Sequence, residues 1–196
     1  IFIIILVFLK LKCILRLKLM FSFILKKLRS LIKPLRQILS SVNWYETINL
    51  KIEKNKDKSK KLIIIKSKKR IPKNFTFQYF SNKANKLKRL NKNFYFLALV
   101  KKNTILSSGW IYFGKKWNIS EINRNIKLTN TFLLFDFETP NIFRGKGYYK
   151  DLLCLIKYKF PQKKLAIYSL SNNHRSIKGI KGAGFKLIKK INGLSN

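Results

Sequence analysis

Two short groups of residues have types and spacing that could do chemistry. Asp136 and Glu138 alternate in the run FDFE, which places two carboxylates on one side of an extended strand. A few residues on, Arg144-Gly145-Lys146-Gly147 leads into a helix-like pattern. The glycines strip the turn of side chains, so an anion could reach its backbone N–H groups. A helix starting near Tyr148 adds unpaired donors and the positive end of its dipole. Arg144 and Lys146 contribute formal charge. The carboxylates suggest a general base and the turn a nest of pyrophosphate size. The turn meets neither the P-loop spacing nor the dinucleotide fingerprint, and a plain surface turn is the alternative.

Scarcity gives the carboxylates their interest. The 196-residue chain has 44 Lys and Arg against seven Asp and Glu, a net charge of +37. The seven are Glu46, Glu53, Asp57, Glu121, Asp136, Glu138 and Asp151. The basic residues run along the whole chain, and Lys, Asn, Ile and Phe are abundant together, as A/T-rich codon usage produces. Charge alone therefore does not specify nucleic acid, which is not the expected partner. It favours an anionic ligand or an anionic membrane surface. His174 is the sole histidine, and Cys13 and Cys154 lack metal-ligand spacing. No metal site or disulfide framework is expected, and a reducing compartment suits the chain. With 46% hydrophobic residues there is material for a real core.

The elements that must position these groups follow from periodicity. FYFLALV (94–100), ILSSGWIYF (105–113), TFLLFDFE (131–138) and KLAIYSL (164–170) read as strands. YYKDLLCLIKYKF (148–160) has apolar residues at helical spacing, and 172–185 reads as a short helix closed at Gly184. ISEINRNI (119–126) is ambiguous. Two antiparallel strands followed by strand–helix–strand–helix predict a mixed α/β sheet.

Upstream, residues 43–93 form a charged part of the domain with strands and loops, including a strand-like LIIIK (62–66) and a basic run at 82–93. Residues 1–42 read as an apolar and basic helical extension. Within it, 1–19 make a poor transmembrane helix and a poor signal peptide, and read as an upstream extension with a start at Met20. From Met20, Phe21, Ile24, Leu25, Leu28, Leu31, Ile32 and Leu35 recur at three and four, with Lys26, Lys27, Arg29, Lys33 and Arg36 on the other face. Pro34 is expected to bend or break this helix. Such a helix either lies on an anionic membrane surface or packs on its own domain.

At the glycine turn the sequence resembles the GNAT superfamily of acetyl-CoA-dependent N-acetyltransferases. The family's Arg/Gln-x-x-Gly-x-Gly/Ala segment is matched at its first five positions by Arg144-Gly145-Lys146-Gly147-Tyr148, and departs at the sixth, Tyr149. A second block, Asn173-x-x-Ser176 followed by Gly184-Phe185, resembles the family's next strand and helix. The resemblance covers about residues 94–190. The segments WIYFGKKWNISEI, FDFETPNIFRGKGYY and NNHRSIKGIKGAGF look like a branch found among surface-glycan enzymes.

The resemblance implies a GNAT-like acyltransferase fold with residues 94–196 as the acetyl-CoA-binding core. It implies direct attack of an amine on the thioester of acetyl-CoA, with an amino sugar as a candidate small-molecule acceptor. Backbone groups of Phe137 to Thr139 would hold the pantetheine arm and the thioester carbonyl. Arg144, Gly145, Lys146, Gly147, Tyr148 and Tyr149 would hold the pyrophosphate, and Asn173 and Ser176 the coenzyme's amides, with Ser176 also read as a helix cap. The base would be Asp136, then Glu138, then Glu121 on the acceptor side. Asp151 reads as structural. Many relatives carry a tyrosine four residues after the serine of the second block. Here that position is Ile180, leaving Tyr148, Tyr149, Tyr168 or His174 as substitute acids. The implied setting is cytoplasmic, peripheral to the inner face of the membrane. Competing readings are a protein or peptide N-acetyltransferase, a coenzyme-binding fold without catalysis, and a basic RNA-associated protein.

Overall fold

The computed structural model describes residues 20–25, 27–28, 30–47, 59–67 and 88–193. The reading of 1–19 as an extension, and most of the charged runs at 51–61 and 82–93, lie outside these residues.

Helix α1 occupies the helical residues between 20 and 39. It continues through Pro34. The proline forfeits one N–H, but α1 is exposed, so the carbonyl left without that donor can bond to water. Nine strands follow among the described residues: β1 (Ser41–Glu46), β2 (Lys61–Ile65), β3 (Phe94–Lys101), β4 (Thr104–Tyr112), β5 (Lys116–Ile119), β6 (Arg124–Lys127), β7 (Thr131–Glu138), β8 (Lys164–Leu170) and β9 (Lys186–Asn192). Helices α2 (Tyr148–Lys159) and α3 (His174–Gly182) flank β8 in sequence.

The strands make a seven-stranded sheet in the order β2-β3-β4-β7-β8-β1-β9, and β5-β6 form a separate hairpin. Only β7 and β8 are parallel, joined by α2; the other neighbours are antiparallel. This is the mixed α/β class the element order predicts. The β3–β4 hairpin turns at Lys102 and Asn103, both with positive φ (46° and 64°), the twist a two-residue hairpin prefers. Residues 119–126, ambiguous in sequence, supply the end of β5, its turn and the start of β6. The first strand, β1, lies between β8 and β9, so the two ends of the described domain are bound into one edge of the sheet.

One face of the sheet packs on α2 and α3. Leu152, Leu153 and Ile156 of α2 and Ile180 of α3 meet Leu97, Leu134 and Ile167 in one buried cluster. The opposite face is aromatic. Phe96, Trp110 and Phe135 pack with Trp117, and Trp44, Leu133 and Ala166 pack beneath the β5–β6 hairpin. The sheet thus has a closed helical face and a second face where these side chains of five strands and the hairpin converge.

The end of α3 is fixed by its neighbours. Gly184 has φ +82°, and the Gly184 and Phe185 N–H groups bond back to Lys181 and Ile180, closing the helix as a Schellman motif. The buried Lys157 of α2 donates its Nζ to the Ala183 carbonyl. A Cβ at Gly184 would lie 3.0 Å from that Nζ. Gly184→Ala is therefore expected to cost about 1–2 kcal/mol of stability. Urea unfolding that returned the wild-type midpoint would contradict this account of the helix end.

Candidate functional site

The site is built where β7 leaves its neighbours. Its parallel pairing with β8 runs from Thr131↔Lys164 to Leu134↔Ile167 and ends there, four residues before the end of β7. On its other side β7 carries one residue too many. Trp110 pairs with Phe135 and Ser108 with Glu138, with a register shift between. Asp136 absorbs the excess with φ +51°, a left-handed conformation that Asp tolerates better than most residues. Gly109 faces the bulge, and a Cβ there would fall 2.5 Å from the Phe137 ring. That ring packs toward the helices, 5.4 Å from Tyr149.

Past β7 the chain is tied back before it reaches the glycines. Ser107 Oγ donates to the Glu138 carbonyl at 3.3 Å and shares a 2.9 Å hydrogen bond with Thr139 Oγ1. Arg144 Nε donates to the Thr139 carbonyl at 3.0 Å, so this arginine braces the turn as well as charging it. Gly145 and Gly147 have φ +77° and +78°, and a Cβ at either would meet nothing within 4 Å. The left-handed backbone calls for glycine at both positions, and beyond that the glycines leave open room on the outside. Gly147 is the N-cap of α2 without a side-chain cap, and the first helical N–H to find a carbonyl is that of Asp151, at 3.0 Å from Gly147. Among the described residues, no acceptor meets the N–H groups from Gly145 to Lys150.

The second sequence block is brought against this turn. Tyr149, the departure from the family pattern, turns its side chain inward. Its hydroxyl lies 3.4 Å from Ser176 Oγ, and its ring fills the space a Cβ at Gly179 would need, at 2.5 Å. Its backbone N–H stays in the row at the head of α2. The cap of α3 is Asn173, whose Oδ1 accepts from the Ser176 N–H at 3.1 Å; the capping role expected of Ser176 belongs to Asn173, because Ser176 is already inside the first turn. Tyr148 lies beneath Lys60, whose Nζ is 5.0 Å from the ring centre and 2.6 Å from Asp151 Oδ2. Asp151 is thus held in an ion pair, and His174 is an exposed first helical residue.

The carboxylates gather on the aromatic face. Asp136 Oδ2 pairs with Arg89 Nη1 at 2.6 Å. Glu121, at the tip of the β5–β6 hairpin, accepts from Ser120 Oγ at 3.2 Å. Between them stands Tyr168, one residue beyond the last β7–β8 pair. Trp117 Nε1 donates to its hydroxyl at 3.3 Å. Burial first, then the negative charge of Glu121 and a hydrogen bond to that carboxylate, with a smaller push from Asp136, raise the phenol to about 12. Glu138 stands opposite Ser108 in the register. The bulge sits at Asp136 itself, so simple period-two alternation does not relate Asp136 to Glu138. Arg89 and Lys60 lie in lysine-rich runs where no pattern sets them apart, and Trp117 reads in sequence as an ordinary strand aromatic.

No family model matches the chain, and no curated protein is similar to it. Solved structures do resemble it. A functionally unknown conserved protein from Staphylococcus epidermidis aligns at TM-score 0.50 and 9% identity, over 77% of this chain and 59% of its own. A GCN5-related N-acetyltransferase-like protein from Streptococcus suis aligns at 0.46 and 10%, over 82% and 64%. An acetyltransferase of the GNAT family from Colwellia psychrerythraea aligns at 0.44 and 16%, over 76% and 53%. The chain spans less than two thirds of the length of each of them. At these identities the likeness is one of fold.

Tyr149 and Tyr168 should ionise late in an ultraviolet absorbance titration. Tyr149 and Tyr168 are each raised from 10.0 to about 12, Tyr149 by burial against a weaker opposing bond from Ser176. Between pH 10 and 12 the unfolded chain loses these protons while the folded one keeps them, so stability falls as pH rises through that window. Tyr168→Phe should remove one late-ionising step. A Tyr168→Phe variant whose late-ionising absorbance matches the wild type would contradict the burial and bonding of the phenol.

Proposed function

We propose that the protein transfers an acetyl group from acetyl-CoA to a small primary amine by direct attack. One observation carries the reading: a row of backbone N–H groups without acceptors, at a bare-backbone turn, opens beside a gap between two parallel strands. The turn suits a pyrophosphate, for which main-chain donors and a helix N-terminus are an effective cradle. The part of β7 beyond its last pair with β8, at Leu134↔Ile167, suits an extended arm carrying amides, which can add hydrogen bonds where β8 has withdrawn. Sequence resemblance at Arg144–Tyr148 and at Asn173–Ser176 points the same way.

Acetyl-CoA supplies the activated acyl group. Around it the chain's own residues divide the work. Backbone N–H groups from Phe137 to Thr139 are in reach of the splay to stabilise an oxyanion. Asp136 is the proposed base, taking the proton from the amine as nitrogen bonds to the carbonyl carbon; Glu121 and Glu138 are further carboxylates on the acceptor side. Tyr168 is the proposed acid. A phenol held to about 12 stays protonated at neutral pH and can release its proton to the sulfur as the carbon–sulfur bond breaks. An amino sugar fits the acceptor side, since its ammonium suits Asp136 and Glu121 and its ring suits the flat faces of Trp117 and Tyr112.

Thiol release from acetyl-CoA, measured across amino sugars, nucleotide sugars and peptides, tests the reaction. Release with amino sugars is expected, and release with peptides alone would move the acceptor class. Gly147→Val should abolish coenzyme binding by calorimetry and also lower the unfolding midpoint, because a Cβ there meets no protein atom within 4 Å but a β-branched residue is strained at φ +78°. Asp136→Asn should keep the left-handed bulge, which Asn also tolerates, and lower kcat about 10²–10⁴-fold with coenzyme affinity unchanged. Unaltered coenzyme affinity in Gly147→Val would contradict the assignment of the turn.

A further inference from the structure

The end of α1 meets the domain with its polar side. Gln37 Nε2 donates to the Ser120 carbonyl at 2.6 Å, and the Gln37 carbonyl lies where a Cβ on Gly193 would stand, 1.8 Å away. At 100° per residue, Met20, Ile24, Leu28, Leu31, Leu35 and Ile38 fall within an arc of roughly 80° on the opposite side from Gln37. All six are exposed, from 40% at Ile38 to 66% at Leu31. Every described residue of α1 apart from Gln37 is exposed. The domain has therefore bound the face that would be content in water and left the apolar face outside, the reverse of a helix packed on its own core. The packing alternative raised by the sequence does not account for this arrangement.

We infer that α1 is a membrane-surface helix, and that its apolar arc docks into the interface of an anionic lipid bilayer. Charge selects this occupant. The chain has no Asp or Glu before Glu46, and Lys27 and Arg36 lie on either flank of the arc. A second copy of the protein would bring +37 against +37, which opposes association through the same face. An anionic headgroup layer meets both demands, taking the apolar side chains below and the cations at its level. No described helix is long and apolar enough to cross a membrane, so α1 lies on the surface. The contact at Ser120 joins α1 to the turn that carries Glu121, so a docked α1 holds the carboxylate end of the aromatic face near the lipid.

The test uses the full chain with sedimented vesicles of phosphatidylcholine, with and without phosphatidylglycerol, at physiological salt. Binding to the anionic vesicles should exceed binding to the neutral ones by at least about tenfold, and Leu28→Glu combined with Leu35→Glu should lower it by about tenfold or more. Because these leucines pack on nothing in the domain, circular dichroism and the unfolding midpoint of the variant should match the wild type. Equal binding of variant and wild type would overturn the inference, since the domain's charge would then suffice. So would absence of binding to anionic vesicles, or a dimer seen by analytical ultracentrifugation that the same substitutions dissociate. This inference does not depend on acyl transfer, and neither outcome alters the thiol-release result.

Discussion

The separation of β7 from β8 after Leu134↔Ile167 is the constraint on which the rest of the site depends. A parallel pair normally continues until a strand ends. Here it stops halfway along, while β7 remains bound to β4 through a bulge at Asp136. A non-glycine residue in a left-handed conformation inside a strand costs on the order of 1–3 kcal/mol. Its neighbours hold it there. Phe137 fits over the bare Gly109 and against Tyr149, and Ser107 fastens the strand end through Glu138 and Thr139. The strain opens one edge of β7 and sends the chain into the glycine turn with its N–H groups outward.

The helical layer holds the far side of this arrangement in place. Tyr149 and Ser176 link the starts of α2 and α3, while Lys157 and Gly184 link the body of α2 to the end of α3. The two helices therefore carry the turn and the Asn173 cap as one unit. The opposite face is built differently, from aromatic rings and a hairpin, and the described carboxylates other than Asp151 lie toward it. A basic glycine turn and a carboxylate-bearing face sit at the two sides of one gap, the separation of charge that the proposed joining of an anionic donor to a cationic acceptor would use.

Much of this was legible in the sequence between residues 94 and 185. Nearly continuous apolar runs mark β3, β4, β7 and β8, which are covered on both faces, and three-four spacing marks both helices, which bury one. Gly184 was legible for the same local reason, as a helix stop that needs φ > 0. The strand β1 was not. SVNWYE is short and only half apolar, and its place depends on β8 and β9, more than a hundred residues away. β9, KLIKKIN, is mostly exposed and lacks an apolar stripe. FDFE reads as perfect alternation, so the bulge that redirects Asp136 leaves no local trace; only pairing with β4 reveals it. Tyr168 likewise reads as a strand residue, and its setting exists only once Trp117 and Glu121 arrive on the hairpin.

The account rests on main-chain donors at the head of α2 gripping a diphosphate. Nitrogen-15 NMR of the backbone during titration with acetyl-CoA tests this directly. The account predicts that the amides of Gly145, Lys146, Gly147 and Tyr148 shift most, move downfield as they gain acceptors, and become protected from exchange with water. Saturable binding that leaves those four amides unmoved and perturbs the lysine-rich surface instead would contradict it.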